Sequence, residues 1–322
     1  MYCPRLDHFV RLNPSGQLSR CGHMTNMPEF DSLDSMDHSQ WLSQVKQQFA
    51  QDQWPAECTR CQQTEQLAQT SIRLNSIQFH NKQQRSDYLV VGGVLDNVCN
   101  SACQTCNQTL STKIGSLYQR DYIKINNADQ FWNLPLHRVV HLDINGGEPS
   151  ASKNYRYLLA NLPDSVRSVR VNTNCSTVIT ELAQVLEQGI SVTVTASLDG
   201  VGAIHDYVRW PIKFDAFEKN LLTYQTMGVD LNTWTTVSAL NIGNLKNIRE
   251  YVRKHKLKHS WALLEQPGVL SVKYSNHLTR TADVPEDLKP IVASDQDNTV
   301  ELQLFTAQQD TLRGIRLWDY FK

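Results

Sequence analysis

Cys99, Cys103 and Cys106 stand in the spacing C-x3-C-x2-C. Three thiolates this close on one loop can hold three corners of an iron–sulfur cube and leave the fourth iron open to a small molecule, which suits chemistry at the metal. The plainer alternative is three packed thiols or a zinc knuckle, although structural zinc takes four closed ligands. Four more cysteines, Cys3, Cys21, Cys58 and Cys61, precede the triad, and Cys175 follows it alone. Four thiolates can fill either a zinc ion or a cube, and ligand count does not separate the two. Cys175 reads as a small packed residue. His137 with His141, and His255 with His259, are spaced four apart. Neither pair encloses the Glu of a zinc-protease motif, and each straddles a strand start, so a structural role is expected. His205 reads as a surface or capping residue.

The elements that must position these residues follow from periodicity. Phe9–Leu12 and Gln17–Cys21 around Asn13-Pro14-Ser15-Gly16 read as a hairpin, and residues 38–51 carry apolar residues at helical spacing. From Tyr88 onward, strands at 89–95, 138–144, 166–171, 191–196, 230–238 and 259–264 alternate with helices at about 107–118, 151–161, 177–188, 214–227 and 245–256. Such alternation implies a parallel sheet with its site at the C-terminal strand ends. The residues of special chemistry fall there in turn: the triad, Gly146-Gly147-Glu148, Thr173-Asn174, Ser197 with Asp199, and Asn241.

Bulk composition bounds the partners. In 322 residues, 31 Lys+Arg against 32 Asp+Glu leave a formal net charge of -1, with no block of like charge. Neither nucleic acid nor an anionic membrane surface is an expected partner. No apolar run reaches about 20 residues and no secretory signal is recognised, so a cytoplasmic protein with reduced thiols is expected.

From roughly Tyr88 to Leu264 the chain resembles the radical S-adenosylmethionine (SAM) superfamily, on C-x3-C-x2-C after the first strand and Gly146-Gly147-Glu148-Pro149 after the second. The resemblance implies that Cys99, Cys103 and Cys106 hold a [4Fe–4S] cluster whose open iron is chelated by SAM. It also implies that Gly146, Gly147 and Glu148 receive the SAM ammonium. Ser197 and Asp199 correspond to ribose-side positions, Arg209 to an arginine pairing with the SAM carboxylate, and Asn241 to a residue near the adenine. The position before the last cysteine is often aromatic or large in the family and is Thr105 here, so adenine stacking there is not expected. Cys3, the Pro-Ser-Gly hairpin, Cys21, Cys58, Cys61 and Glu65 are similar to a twitch module, the short relative of the SPASM domain. Such modules hold an auxiliary, here second, [4Fe–4S] cluster. In relatives the module follows the barrel, whereas here it precedes it. The tail from Thr311 to Trp318 resembles tails of members with the same order and adds no chemistry.

The expected fold is α/β, a partial (β/α)6 TIM-like barrel with a small N-terminal cysteine-rich iron–sulfur module. Its expected divisions are 1–75 auxiliary module, 76–87 linker, 88–265 barrel and 266–322 C-terminal extension. The activity implied by the resemblance is reductive cleavage of SAM to a 5′-deoxyadenosyl radical, which takes hydrogen from a substrate C–H bond. With an electron-relaying auxiliary cluster, the outcome is a net oxidation or crosslink of a peptide or protein side chain. The same chemistry on a small-molecule intermediate is the second reading. A non-catalytic zinc or iron–sulfur binding module is the reading from a different class. An external electron donor of flavodoxin or ferredoxin type is also implied.

Overall fold

The computed structural model describes residues 1–118, 122–274, 284–286, 289 and 299–321. The chain opens with a short helix α1 (Arg5–His8) and a hairpin of β1 (Phe9–Leu12) and β2 (Leu18–Ser19). Helices α2 (Leu33–Asp37), α3 (Gln40–Ala50), α4 (Thr59–Ala68) and α5 (Ile72–His80) follow. Then comes the alternating part: β3 (Leu89–Val94), α6 (Thr112–Leu117), α7 (Ala128–Trp132), β4 (Val139–Asn145), α8 (Lys153–Ala160) and β5 (Ser168–Thr173). It continues through α9 (Glu181–Glu187), β6 (Ser191–Ser197), α10 (Ala203–Val208), α11 (Phe214–Met227), β7 (Asp230–Val237), α12 (Leu245–Lys254) and β8 (Lys258–Leu263). A C-terminal helix, Thr299–Arg313, packs Leu302 against Tyr207, Val208 and Leu240.

The strands form one sheet in the order β2-β1-β3-β4-β5-β6-β7-β8, with every pair from β1 to β8 parallel. The six expected barrel strands are present, and α7 and α10 are additional. The expected hairpin is present, with Arg11 opposite Ser19, and β1 also pairs in parallel with β3, Phe9 opposite Val90 and Leu12 opposite Gly93. Gly93 is what permits the approach: a Cβ there would lie 2.2 Å from the Leu12 carbonyl oxygen, and its φ is +102°. The hairpin therefore continues the barrel sheet instead of standing apart from it.

Strand residues alternate in the pattern that a one-sided core demands. On β4, Leu142 and Ile144 are buried under the helices with Val169, Val171, Val194, Phe217 and Ile248, while His141, Asp143 and Asn145 point to the other face. Each fully buried Leu, Ile or Phe of this layer contributes roughly 1.5–3 kcal/mol. Register places the inner-face residues in rows, Arg11–Gly92–Asp143–Arg170 being one. Arg60 of α4 lies 3.2 Å from Glu265, just after β8, so an N-terminal helix reaches the segment that follows the last strand.

Candidate functional site

The triad sits on the loop between β3 and α6, and the loop is fixed from several sides. Asp96 accepts hydrogen bonds from the Val98 N–H (3.1 Å) and from the Ser152 hydroxyl (2.5 Å) that also caps α8. Asn97 is fully buried; its amide donates to the Thr109 and Ile123 carbonyls, and its Oδ1 accepts from Ile125. The N-cap of α6, Ser111, donates to the Ser101 carbonyl at 2.7 Å. Against this frame the Ser101 hydroxyl lies 3.3 Å from Cys99 Sγ and 3.4 Å from Cys103 Sγ, so one residue gathers two sulfurs. Burial, then the neighbouring Cys103, pushes the Cys99 thiol up. Burial, then Cys103 and Cys99, pushes Cys106 to about 12. Such thiols stay protonated until a cation replaces their protons, so metal binding here would release protons.

Arg209, at the end of α10, supplies the opposite charge. Burial acts to neutralise it, but Cys103, Asp199, Cys99 and Cys106, in that order, would hold its guanidinium more firmly charged than usual, the cysteines only once they are ligating thiolates. Its Nη1 donates to Asp199 at 3.1 Å, and its Nε is buried without a partner. The same segment is stitched to the triad loop, because the Ala102 and Gln104 N–H groups donate to the Trp210 and Val208 carbonyls.

The turn after β4 runs beside the triad. Gly146 and Gly147 have φ of +103° and +56°, and a Cβ on Gly147 would fall 2.3 Å from the Val98 carbonyl oxygen. Only glycine lets this turn touch the cysteine loop. Glu148 is buried and accepts from Thr173 Oγ1 (2.7 Å), Ser150 Oγ (2.8 Å), Ser150 N–H (3.1 Å) and Asn174 N–H (2.6 Å). Three of those bonds fall on Oε1 and one on Oε2. Glu148 thus binds the β4 and β5 turns together, and Oε2 is the oxygen that keeps an acceptor site for a ligand ammonium. Asn174 extends the chain of contacts to Asn100 and Ser101.

Ser197 ends β6 on the inner face, between Thr195 and the buried Asp199. Asp199 accepts from the Thr236 N–H at 2.8 Å, and burial raises its pKa against the opposing charge of Arg209. Asn241 is buried; its amide donates to the Asp199 and Thr236 carbonyls, and its Oδ1 accepts from Ser238. Its side chain locks the β6 and β7 ends to each other.

Cys3, Cys21, Cys58 and Cys61 line a single apolar pocket with Leu6, Met24, Phe49, Trp54 and Ile72, and with Arg5 and Arg73 at its rim. Burial is the main cause that raises Cys3 to about 12 and lifts Cys58 and Cys61, with the other cysteines of the set adding to it. Backbone N–H groups already point at the sulfurs: His23 at Cys21 (3.3 Å), Arg5 at Cys3 and Arg73 at Cys61. Glu65 holds Arg73 through two bonds of 2.9 and 2.6 Å. Buried sulfurs with amide donors and nearby cations fit an anionic iron–sulfur cube. Among the described residues, no three His, Cys, Asp or Glu side chains close on a point that a single metal ion could occupy.

Several participants were not legible beforehand. Arg313, on the C-terminal helix, is buried and donates to the Ala102 carbonyl at 2.8 Å and the Cys103 carbonyl at 3.5 Å, so the tail braces the triad loop. A lone Arg in a 3.6-period helix carries no signal of this. His205 departs from its expected surface position: it is fully buried against Phe214 and Phe217, and burial, aided by Arg209, pushes it down to about 3. Cys175 is buried in the main core, and His141 and His259 bond Ser168 and Thr233.

No protein-family profile matches the sequence. Among solved structures, the chain is similar to anSMEcpe with bound AdoMet (17% identity, TM-score 0.45), over 70% of this chain and 62% of that one. It is also similar to SuiB of Streptococcus suis bound to S-adenosylmethionine (13%, 0.44, 95% and 70%) and bound to the precursor peptide SuiA (13%, 0.44, 97% and 70%). The chain spans 62% of the length of anSMEcpe.

Proposed function

We propose that this chain is a radical SAM enzyme. The observation that carries the reading is the loop of Cys99, Cys103 and Cys106 stitched through its Ala102 and Gln104 N–H groups to the segment of the buried Arg209, beside a Gly146-Gly147 turn that only glycine can form. A reduced [4Fe–4S] cluster on the triad, with SAM at its open iron, supplies one-electron cleavage of the sulfonium and, through it, removal of hydrogen from an unactivated C–H bond. A zinc knuckle fits less well. Structural zinc takes four closed ligands, and the triad offers three.

The chain's own residues have the remaining tasks. Arg209, with one nitrogen unpartnered and a charge the site sustains, is placed to receive the carboxylate of SAM. The exposed backbone of the glycine turn accepts close approach of its ammonium, with Glu148 fixing that turn. Asp199 and Asn241 hold the ends of β6 and β7 against the cofactor side, and Ser197 faces the cavity.

We assign the N-terminal four cysteines to a second [4Fe–4S] cluster, fully ligated and therefore an electron relay. This favours a net oxidation or crosslink, with a peptide or protein side chain as the first substrate class, a small-molecule intermediate as the second, and a flavodoxin- or ferredoxin-type protein as donor. The test is anaerobic reconstitution: the chain should bind about eight irons, two cubes of four, and form 5′-deoxyadenosine with dithionite and SAM. A colourless protein that binds only zinc would return it to the binding-module class.

A further inference from the structure

Between the two cysteine groups lie two adjoining hollows that share Arg5, Phe9, Ile72 and Asp143. One runs inward over Tyr88, His141 and Arg170; the other opens toward Arg11, Thr109 and Gly146, beside the triad loop. The second hollow reaches His23, close to Cys21, and Asn107, next to Cys106, so together they form the space in which a substrate of the proposed enzyme would sit. Its charge is lopsided. Three arginines line it against one acid, Asp143, and that acid stands 4.0 Å from Arg170.

Arg5 and Arg11 carry no ion pair among the described residues. The Arg5 guanidinium carbon lies 3.4 Å over the centre of the Phe9 ring, and its Nε is buried without a partner. Arg11 sits in the same row as Asp143, separated only by Gly92, where a Cβ would strike the Phe9 ring and the Asp143 carbonyl at 2.8 Å. Glycine there leaves room for the Phe9 ring over which Arg5 lies. Asp143 Oδ1 is likewise buried with no partner.

We propose that this floor is a carboxylate subsite of the substrate cavity, with Arg5 and Arg11 gripping the acid and Asp143 accepting an adjacent N–H. The proposal rests on the cavity assignment made above and names the substrate class: a compound carrying a carboxylate next to an amide or amine. A guanidinium packed over an aromatic ring with no carboxylate partner of its own suits bidentate capture of that group. The carboxylate could belong to an acidic residue of a peptide or to a small acid.

The test is calorimetric titration of the iron-loaded full chain. One arm compares an end-capped Gly-Gly-Glu-Gly-Gly peptide with its Gln counterpart, and the other compares glutarate with glutaramide. At least one acid should bind about tenfold or more tighter than its amide, the worth of a charge-assisted bond, and Arg11→Gln should erase that preference. Which arm responds identifies the source. Equal binding of acid and amide in both arms, or no binding in either, overturns the subsite, and this comparison in the unaltered chain needs no variant. Because the readout is binding, it is separable from SAM cleavage: a chain that makes no 5′-deoxyadenosine yet prefers the acid refutes the enzyme reading alone.

Discussion

Arg209 and Asp199 form a buried pair, 13% and 2% exposed in their side chains, that faces the triad. Removing one partner leaves the other charge buried and uncompensated, at a cost of about 3–5 kcal/mol. Arg209→Gln should therefore lower stability in urea unfolding and abolish 5′-deoxyadenosine formation. Arg209→Met combined with Asp199→Leu should regain much of the stability and none of the turnover. Recovery of both would make Arg209 a purely structural residue. His205 gives a second residue-scale prediction. Its folded pKa, about 3, lies below the usual 6.5, so the unfolded chain binds the proton more tightly. Its contribution is present above pH 6.5 and is lost as pH falls toward 3. Acidification from pH 6.5 to 4.5 should cost roughly 2–3 kcal/mol through this residue, and His205→Leu should flatten that limb of the stability curve. An unchanged slope would contradict its burial as a neutral ring.

At the scale of elements, the triad loop depends on two contacts made from elsewhere in the sequence. Gly147→Ala must move the Val98 backbone or lose its turn, since the new methyl would sit 2.3 Å from a carbonyl oxygen. Iron retention at the triad should fall with it. Arg313→Gln withdraws donors from the Ala102 and Cys103 carbonyls, at about 1–3 kcal/mol for buried acceptors left unmade, and should speed iron loss to a chelator. Retention equal to the unaltered chain would remove the brace. These two contacts mark what sequence reading can reach. The glycine turn was legible because residue type, order and strand alternation coincide there. The Arg313 contact joins residues more than 200 positions apart, and nothing in the local pattern of either end records the pairing. Likewise β1 read correctly as a hairpin strand, but its parallel partner β3 was hidden, since a four-residue strand looks the same at the edge of any sheet.

Over the whole molecule, the sheet carries one cysteine group at its first edge and the other at the mouth, with an arginine-lined cavity between them. That layout makes the two groups separable. Cys58→Ala with Cys61→Ala should halve the iron and stop substrate oxidation while SAM cleavage persists; undiminished product would eliminate the relay. The most direct measurement for the central claim is made at the other group. Oxygen-free, reduced protein is given SAM, and 5′-deoxyadenosine is quantified for the unaltered chain and for Cys103→Ala. Formation by the first and none by the second, with iron at the N-terminal site intact in both, is the expected result. Equal amounts from both, or none from the unaltered iron-loaded chain, would contradict the assignment of the triad as the SAM-binding cluster site.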